Sequence, residues 1–233
     1  MQLIWLRSDL RIDDNSALSV ACERGPTVAV WLASPGQWQA HDDAACKVDF
    51  WLRNLRQLRQ SLDQLNIPLL VRKIDTWDQA PATLLEVCRQ HHIAAVHWND
   101  EYGINEERRD AATRQLLEAS GIRAHSYLDQ LFFRPGTILT RSGDYFQVFT
   151  QFKKACLEHL HRSLPPLARR VKEQAPLAIN SDPIPQHIDG FEKPARALSD
   201  HWPAGEAEAQ ARLSRFLDET VEEIGRASCR ERV

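Results

Sequence analysis

The sequence predicts an α/β fold: a Rossmann-like, five-stranded parallel sheet of order 3-2-1-4-5 with helices on both faces. Short apolar strand segments alternate with helical segments throughout residues 1–130. The strands are apolar along almost their whole length, which indicates burial on both faces and is typical of parallel sheets. The chain has 233 residues and a hydrophobic content of 43%, which is enough for one such domain.

Each strand is predicted from an apolar run, and each helix from its periodicity and its boundary residues. The strands are expected at residues 2–6, 27–32, 68–73, 94–98 and 123–126. The intervening helices are expected at residues 16–24, 46–65, 80–91 and 105–120. Gly25-Pro26 and Gly121 follow two of these helices, at positions where helix-ending residues are common. These elements make residues 1–130 one α/β domain.

The remaining sequence divides into four segments. Residues 131–162 are expected to form a helical extension of the first domain, and the proline-rich residues 163–204 an interdomain linker. Residues 205–222 have helical character and a short apolar stripe, so we expect the first helix of a further all-α domain, with nothing in this chain to pack against. Residues 223–233 match the translation of a sequencing adapter. We therefore interpret them as a disordered, non-native tail and the chain as truncated.

Bulk composition argues against several classes of function. The net charge of −3 and the pI of about 6.3 do not favour DNA binding by this segment alone, since DNA-binding domains usually carry a basic face. The sequence shows no membrane-length apolar run, no signal-peptide pattern and no CxxC pairing, so we expect a cytoplasmic protein with reduced thiols. Neither a metal-spaced cluster nor a GxGxxG or P-loop motif occurs.

Polar residues follow three of the predicted strands, at the sheet edge where open α/β proteins bind ligands. We interpret the charged residues of segment 7–11 mainly as a structural network, because ion pairs are the commoner use of such loops. Residues 34–41 form either an ordinary loop with a buried tryptophan or the wall of a ligand pocket. Asn105 and Glu106 fit a helix cap and an acidic first turn.

Several motifs, in the correct order along the chain, resemble the DNA photolyase and cryptochrome family. Residues 5–18 (WLRSDLRIDDNSAL) are similar to the family's opening Trp-x-Arg-x-Asp-Leu-Arg-x-x-Asp-Asn-x-Ala-Leu. Residues 145–152 (YFQVFTQF) resemble a family segment that ends in Thr/Ser-Pro-Phe, with Gln151 in the place of the proline. Residues 212–217 (RLSRFL) resemble the helix that opens the family's flavin domain. The resemblance spans residues 1–222.

This resemblance implies the light-harvesting domain of a bacterial class I, folate-type photolyase, which repairs ultraviolet-induced cyclobutane pyrimidine dimers in DNA. In that family an Asn-Glu pair, corresponding to Asn105 and Glu106, holds a methenyltetrahydrofolate antenna, and His41 corresponds to a further folate contact. A carboxylate suits the N–H donors of an aminopyrimidine edge, and an amide suits the neighbouring ring atoms.

The resemblance also implies what this segment lacks. The FAD pocket, the tryptophan electron chain and the DNA groove lie in the family's helical domain, so we expect no catalytic residue, metal site or complete flavin site here. The intact family is usually monomeric, and its partner is ultraviolet-damaged DNA, without a membrane or protein partner. Two alternatives stay open: a photosensory cryptochrome, and a stand-alone α/β nucleotide-binding module, against which the helix at residues 205–221 argues.

Overall fold

The sheet has five strands in the order β3-β2-β1-β4-β5 in the computed structural model, which describes residues 1–194 and 196–223. The strands are β1 (Gln2–Leu6), β2 (Thr27–Ala33), β3 (Leu69–Lys73), β4 (Ala95–Asn99) and β5 (Arg123–Tyr127). Each pair of neighbouring strands is parallel. The predicted fold and strand order are confirmed, and the strand boundaries differ from the predicted ones by one residue at most.

Helices connect the strands and continue beyond the sheet. Those within the sheet region are α1 (Ser16–Arg24), α2 (Pro35–Ala40), α3 (Ala45–Asp63), α4 (Ala80–Gln90) and α5 (Ile104–Ala119). The later helices are α6 (Phe149–Arg162), α7 (Arg196–His201) and α8 (Glu206–Arg215). A π-helical turn, Phe216–Thr220, and a 3-10 turn, Val221–Glu223, extend α8. Residues 224–233, and with them most of the tail that we expect to be disordered, lie outside the described residues.

The two faces of the sheet carry separate hydrophobic cores. In β1, Leu3 and Trp5 belong to the core beneath α4 and α5, whereas Ile4 and Leu6 belong to the core beneath α1 and α3. This division follows from the two-residue period of a strand, because successive side chains point to opposite faces. All four side chains are at most 2% exposed, so both faces of the central strand are covered as the apolar pattern predicts.

The proline-rich segment is bound to the sheet rather than free of it. A strap formed by residues 168–191 passes the amino-terminal end of β2, the outer edge of β3 and then α3. Asp182 donates its N–H to the carbonyl of Leu69 (2.9 Å) and accepts the N–H of Val71 on its carboxylate (2.8 Å). The strap thus satisfies part of an edge that would otherwise present unpaired backbone groups. Short helix α7 follows the strap within the segment that we predicted to be a linker.

Helix α8 does contact the rest of the chain, so the expectation that it has nothing to pack against is wrong. Its first residue, Glu206, accepts the N–H groups of Ile12 and Asp13, and Gly205 donates its N–H to Asn54 on α3 (2.9 Å). These contacts are polar, which is why the apolar pattern of the sequence did not reveal them. Whether α8 begins a separate domain stays a prediction.

Candidate functional site

The carboxyl ends of β1 and β2, together with α2 and the start of α5, enclose a cavity of about 430 Å³. This is the sheet edge at which open α/β proteins bind ligands. Five of the seven tryptophans line the cavity: Trp5, Trp31, Trp38, Trp51 and Trp77. The cavity is therefore large enough for a small organic molecule and rich in flat aromatic surface, which is typical of sites for planar ligands.

One side of the cavity is a row of three indoles. The ring centroids of Trp31 and Trp38 lie 5.9 Å apart, and those of Trp38 and Trp51 lie 5.2 Å apart. Both spacings are within the range of favourable aromatic pairs. The row runs from the buried end of β2 through α2 to the partly exposed Trp51 on α3.

On the other side, Arg109 is held between two tryptophans. Its guanidinium carbon lies 4.9 Å from the Trp5 ring centroid and 4.7 Å from that of Trp77. Both distances are within the range of cation–π contacts. Arg109 also pairs with Glu101 (2.8 Å) and is only 6% exposed. A buried cation is thus built into the aromatic wall, and the helical position of Arg109 gave no sign of it.

The charged loop after β1 forms the ion-pair network that its sequence predicts. Arg7 donates to Asp110 on α5 (3.1 Å) and to the backbone carbonyl of Asn99 at the end of β4. Ser8 donates to Glu101 (2.6 Å). Burial by itself would raise the pKa of Glu101, but Arg7 and Arg109 beside it lower that pKa below its ordinary value. Glu101 is therefore ionised at neutral pH and balances the cations of the cavity wall.

Arg7 serves the network and the cavity at once. It lines the cavity, and its Nε atom is buried without a hydrogen-bond partner in the described structure. This atom lies 3.9 Å from a Glu101 carboxylate oxygen, which is an ion-pair distance but too long for a hydrogen bond, and a buried donor of this kind can be satisfied by a water molecule or a ligand. This donor is one observation that favours a ligand in the cavity.

The structure brings two of the three predicted site residues to this cavity. His41 ends α2, and its ring stacks on Trp77 with centroids 6.0 Å apart. Glu106 lies in the first turn of α5, and both His41 and Glu106 line the cavity. Asn105 is half-buried and is not among the lining residues.

The predicted cap at the start of α5 is wrong. The helix begins at Ile104, one residue earlier than predicted, and its N-cap is Gly103 rather than Asn105. The Glu106 carboxylate folds back over Gly103 so closely that a Cβ atom at position 103 would collide with it. A side chain at position 103 would therefore displace this carboxylate, which belongs to the one acidic residue of the first turn that lines the cavity.

Sequence reasoning missed α2 and most of the aromatic wall. Pro35 at the start of α2 suits a first helical turn, and it was the available signal for this short helix. Trp5 and Trp31 stand next to last and third from last in their strands, which could have placed both at the ligand edge. Trp51 and Trp77 come from α3 and the turn before α4, and no local pattern connects them with that edge.

Two further observations concern metal-binding groups and membrane-spanning helices. Within residues 1–194 and 196–223, no group of three or more histidine, cysteine or acidic side chains is arranged to hold a metal ion. None of the helices in the same described ranges is long and apolar enough to cross a membrane. The cavity thus offers stacking surfaces and ion pairs rather than a metal-ligand set.

Comparison with known proteins identifies the family. The family model described as DNA photolyase matches residues 2–172. The deoxyribodipyrimidine photo-lyases of Salmonella typhimurium and Vibrio cholerae are both 32% identical to this chain, over 80% and 97% of it. The crystal structure of a bacterial class III photolyase from Agrobacterium tumefaciens superposes with a TM-score of 0.71 at 26% identity, over 93% of this chain. The chain spans 40%, 48% and 44% of these three proteins. With the family model matching most of its length, the chain belongs to the DNA photolyase family.

Proposed function

We propose that this chain is the light-harvesting part of a deoxyribodipyrimidine photo-lyase. The observation that carries the proposal is the cavity lined by tryptophans, which lies at the ligand edge of an α/β domain of this family. The intact protein would use light to repair cyclobutane pyrimidine dimers in DNA. Its substrate would place it in the cytoplasm of a bacterium, and we expect it to act as a monomer.

The antenna that we propose for the cavity is methenyltetrahydrofolate, as expected of a class I enzyme. Its pterin presents N–H donors that suit the Glu106 carboxylate, and its flat ring suits the surface formed by His41 and Trp77. Asn105 follows Ile104 at the start of α5, and we propose that it contacts the folate outside the cavity wall. When bound, the folate would absorb near-ultraviolet light and pass the excitation energy on.

The catalytic FAD and the damaged DNA would be bound by the remaining part of the intact protein. The photo-lyases that this chain matches are more than twice as long as the matched region. Repair chemistry requires the dimer to be flipped out of the base stack into a pocket of its own, and the cavity described here is the one that we assign to the antenna. We therefore expect the 233-residue chain to bind no stoichiometric FAD and to repair no dimer by itself.

A photosensory cryptochrome is the weaker alternative. Both of the 32% identical relatives are named as photo-lyases, which favours repair. A protein restored to full length separates the two functions directly. Light-dependent removal of dimers from irradiated DNA supports the photo-lyase, and binding of FAD without any repair would support the cryptochrome.

The antenna site is tested by titrating the 233-residue chain with methenyltetrahydrofolate and following its absorbance. We expect weak binding, because one domain supplies only part of the walls. Glu106→Gln removes the charge opposite the pterin donors and should weaken binding about tenfold to a hundredfold, which corresponds to about 1–3 kcal/mol.

Glu107→Gln is the matched control, because Glu107 is the neighbouring exposed carboxylate and does not line the cavity. It should leave the folate affinity unchanged. Thermal melts of both variants should match the unmodified chain within a few degrees, since a first-turn glutamate contributes only about 0.3–1 kcal/mol through the helix dipole. Equal folate affinity in the Glu106 and Glu107 variants would remove Glu106 from the proposed site.

A further inference from the structure

Helix α8 is attached to the loop between β1 and α1 through its polar face. Glu206 accepts the N–H of Ile12 on Oε2 (2.9 Å) and the N–H of Asp13 on Oε1 (3.0 Å). One turn further along α8, Gln210 donates to the Asp13 carboxylate (3.3 Å). A single side chain therefore binds two successive backbone groups that lie more than 190 positions away in the sequence.

The two ends of the β1–α1 loop are held by other residues. Asp9 near its start accepts a hydrogen bond from Asn99 (2.7 Å), and Asn15 at its end caps α1 by accepting the N–H of Leu18 (3.0 Å). In the described structure, the N–H groups in the middle of the loop, those of residues 12 and 13, bond to Glu206. The acceptor is a carboxylate, so both hydrogen bonds are charge-assisted, and because each oxygen accepts one N–H the contact constrains direction as well as distance.

No side chain of α8 is fully buried by this attachment. The apolar stripe of α8 and its extension remains exposed: Leu213 by 57%, Phe216 by 37% and Leu217 by 54%. A surface helix normally buries its apolar stripe and exposes its polar face. Here neither the apolar nor the polar side chains of α8 are fully buried, and hydrogen bonds to the β1–α1 loop attach the helix.

We propose that Glu206 is a positioning residue that sets the orientation of α8 on the α/β domain. Its carboxylate does so by accepting the N–H groups of Ile12 and Asp13, a contact that we call the clasp. The same loop carries Arg7 and Ser8 to the wall of the candidate cavity. One loop thus contacts both the cavity and α8, and Glu206 is the link on the α8 side. The clasp is independent of which chromophore the cavity binds.

Hydrogen–deuterium exchange of the 233-residue chain tests the clasp. Glu206→Ala removes both acceptors, so the amides of Ile12 and Asp13 should exchange at least about tenfold faster, together with those of α8. Glu206→Gln keeps one acceptor oxygen and nearly the same volume, and it should give an intermediate rate. Amides of the central strand β1 should keep their protection in both variants, because the two cores do not involve Glu206.

Glu208→Ala is the control on the same helix. Glu208 forms ion pairs with Arg212 (2.8 Å) and Arg215 (3.6 Å), both within α8. This variant should leave the exchange of Ile12 and Asp13 unchanged. The proposal is overturned if these two amides keep their protection in Glu206→Ala, or if Glu208→Ala exposes them equally. Faster exchange in Glu206→Ala without partial recovery in Glu206→Gln would also contradict it.

Discussion

His97 on β4 is a histidine whose ring is fully buried and whose two nitrogens both have partners. Nε2 lies 2.9 Å from the Gln2 side-chain oxygen, and Nδ1 lies 2.7 Å from the Tyr127 hydroxyl. Because the Gln2 oxygen can only accept, Nε2 carries the proton and Nδ1 accepts from the tyrosine. When the ring is neutral, both of its nitrogens therefore have a hydrogen-bond partner in this buried position. Burial, with smaller contributions from His125, Arg24 and Arg123, lowers the pKa of His97 to about 4.

This lowered pKa makes stability depend on pH. The unfolded chain binds a proton at His97 near pH 6.5, whereas the folded chain does not until about pH 4. The contribution of His97 is therefore fully present above pH 6.5 and is lost progressively as the pH falls from 6.5 to 4. The slope that it adds is at most about 1.4 kcal/mol per pH unit.

Urea unfolding between pH 4 and pH 8 measures this slope. His97→Gln should flatten the dependence on pH in that interval, although it also lowers the overall stability. An unmodified chain that is as stable at pH 4.5 as at pH 7 would contradict the assignment.

At the scale of elements, Asn99 joins β4, the β1–α1 loop and α1. Its side-chain oxygen accepts the N–H of Ala17 (2.9 Å). Its side-chain nitrogen donates to Asp9 (2.7 Å) and to Asn15 (2.9 Å). Asn99 is 1% exposed, so these bonds are made without competition from water. The amide fits because one end accepts and the other donates twice, which neither aspartate nor leucine can do.

Replacing Asn99 should destabilise the fold by about 2–5 kcal/mol, because buried polar groups then lose their partners. Asn99→Leu leaves the Ala17 N–H and one oxygen of the Asp9 carboxylate without a partner, while the other Asp9 oxygen keeps the N–H of Arg7. Asn99→Asp retains the acceptor but places a second carboxylate next to Asp9. The loss of stability in this variant should therefore be greater at pH 7 than at pH 4.

The free energy of unfolding in urea checks both variants. Asn105→Ala is the control, since Asn105 makes no side-chain hydrogen bond in the described structure and should change stability by less than about 0.5 kcal/mol. If the free energy of unfolding of Asn99→Leu also changes by less than about 0.5 kcal/mol, Asn99 does not join these three elements.

At the scale of the whole molecule, Gln174 attaches the strap by hydrogen bonds to the amino-terminal end of β2. Its side-chain oxygen accepts the N–H of Thr27 (2.8 Å), and its nitrogen donates to the carbonyls of Thr27 (2.9 Å) and Asn66 (2.8 Å). Its own N–H donates to the carbonyl of Leu65 (3.1 Å). One glutamine thereby connects the strap with β2 and with the turn that precedes β3.

Gln174→Ala should destabilise the chain by about 1–3 kcal/mol, because it leaves the buried N–H of Thr27 without a partner. The strap should also open locally, so that the Thr27 amide exchanges with solvent faster. Lys172→Ala changes an exposed residue of the same strap and should do neither. Urea unfolding and amide exchange together measure the effect, and equal behaviour of the two variants would show that the strap does not depend on Gln174.

The sequence by itself determined the sheet and the position of most of its helices. Apolar runs such as Leu3–Leu6 can be buried only between two helical layers, and glycine and proline mark the ends of the helices between them. These are local properties, because the periodicity of a strand or a helix depends only on residues that are close together in the sequence. For the same reason His41 and Glu106 could be assigned to the ligand edge, since each follows a strand of known direction.

Only the tertiary structure decided how separate segments meet. The placement of Arg109 between Trp5 and Trp77, and the clasp of Glu206 on Ile12 and Asp13, join residues that lie from about 30 to more than 190 positions apart. Such contacts depend on the twist of the sheet and on the angles at which helices pack, and no local periodicity encodes either. Polar contacts are the hardest to foresee, because a single hydrogen bond leaves no repeating pattern in the sequence.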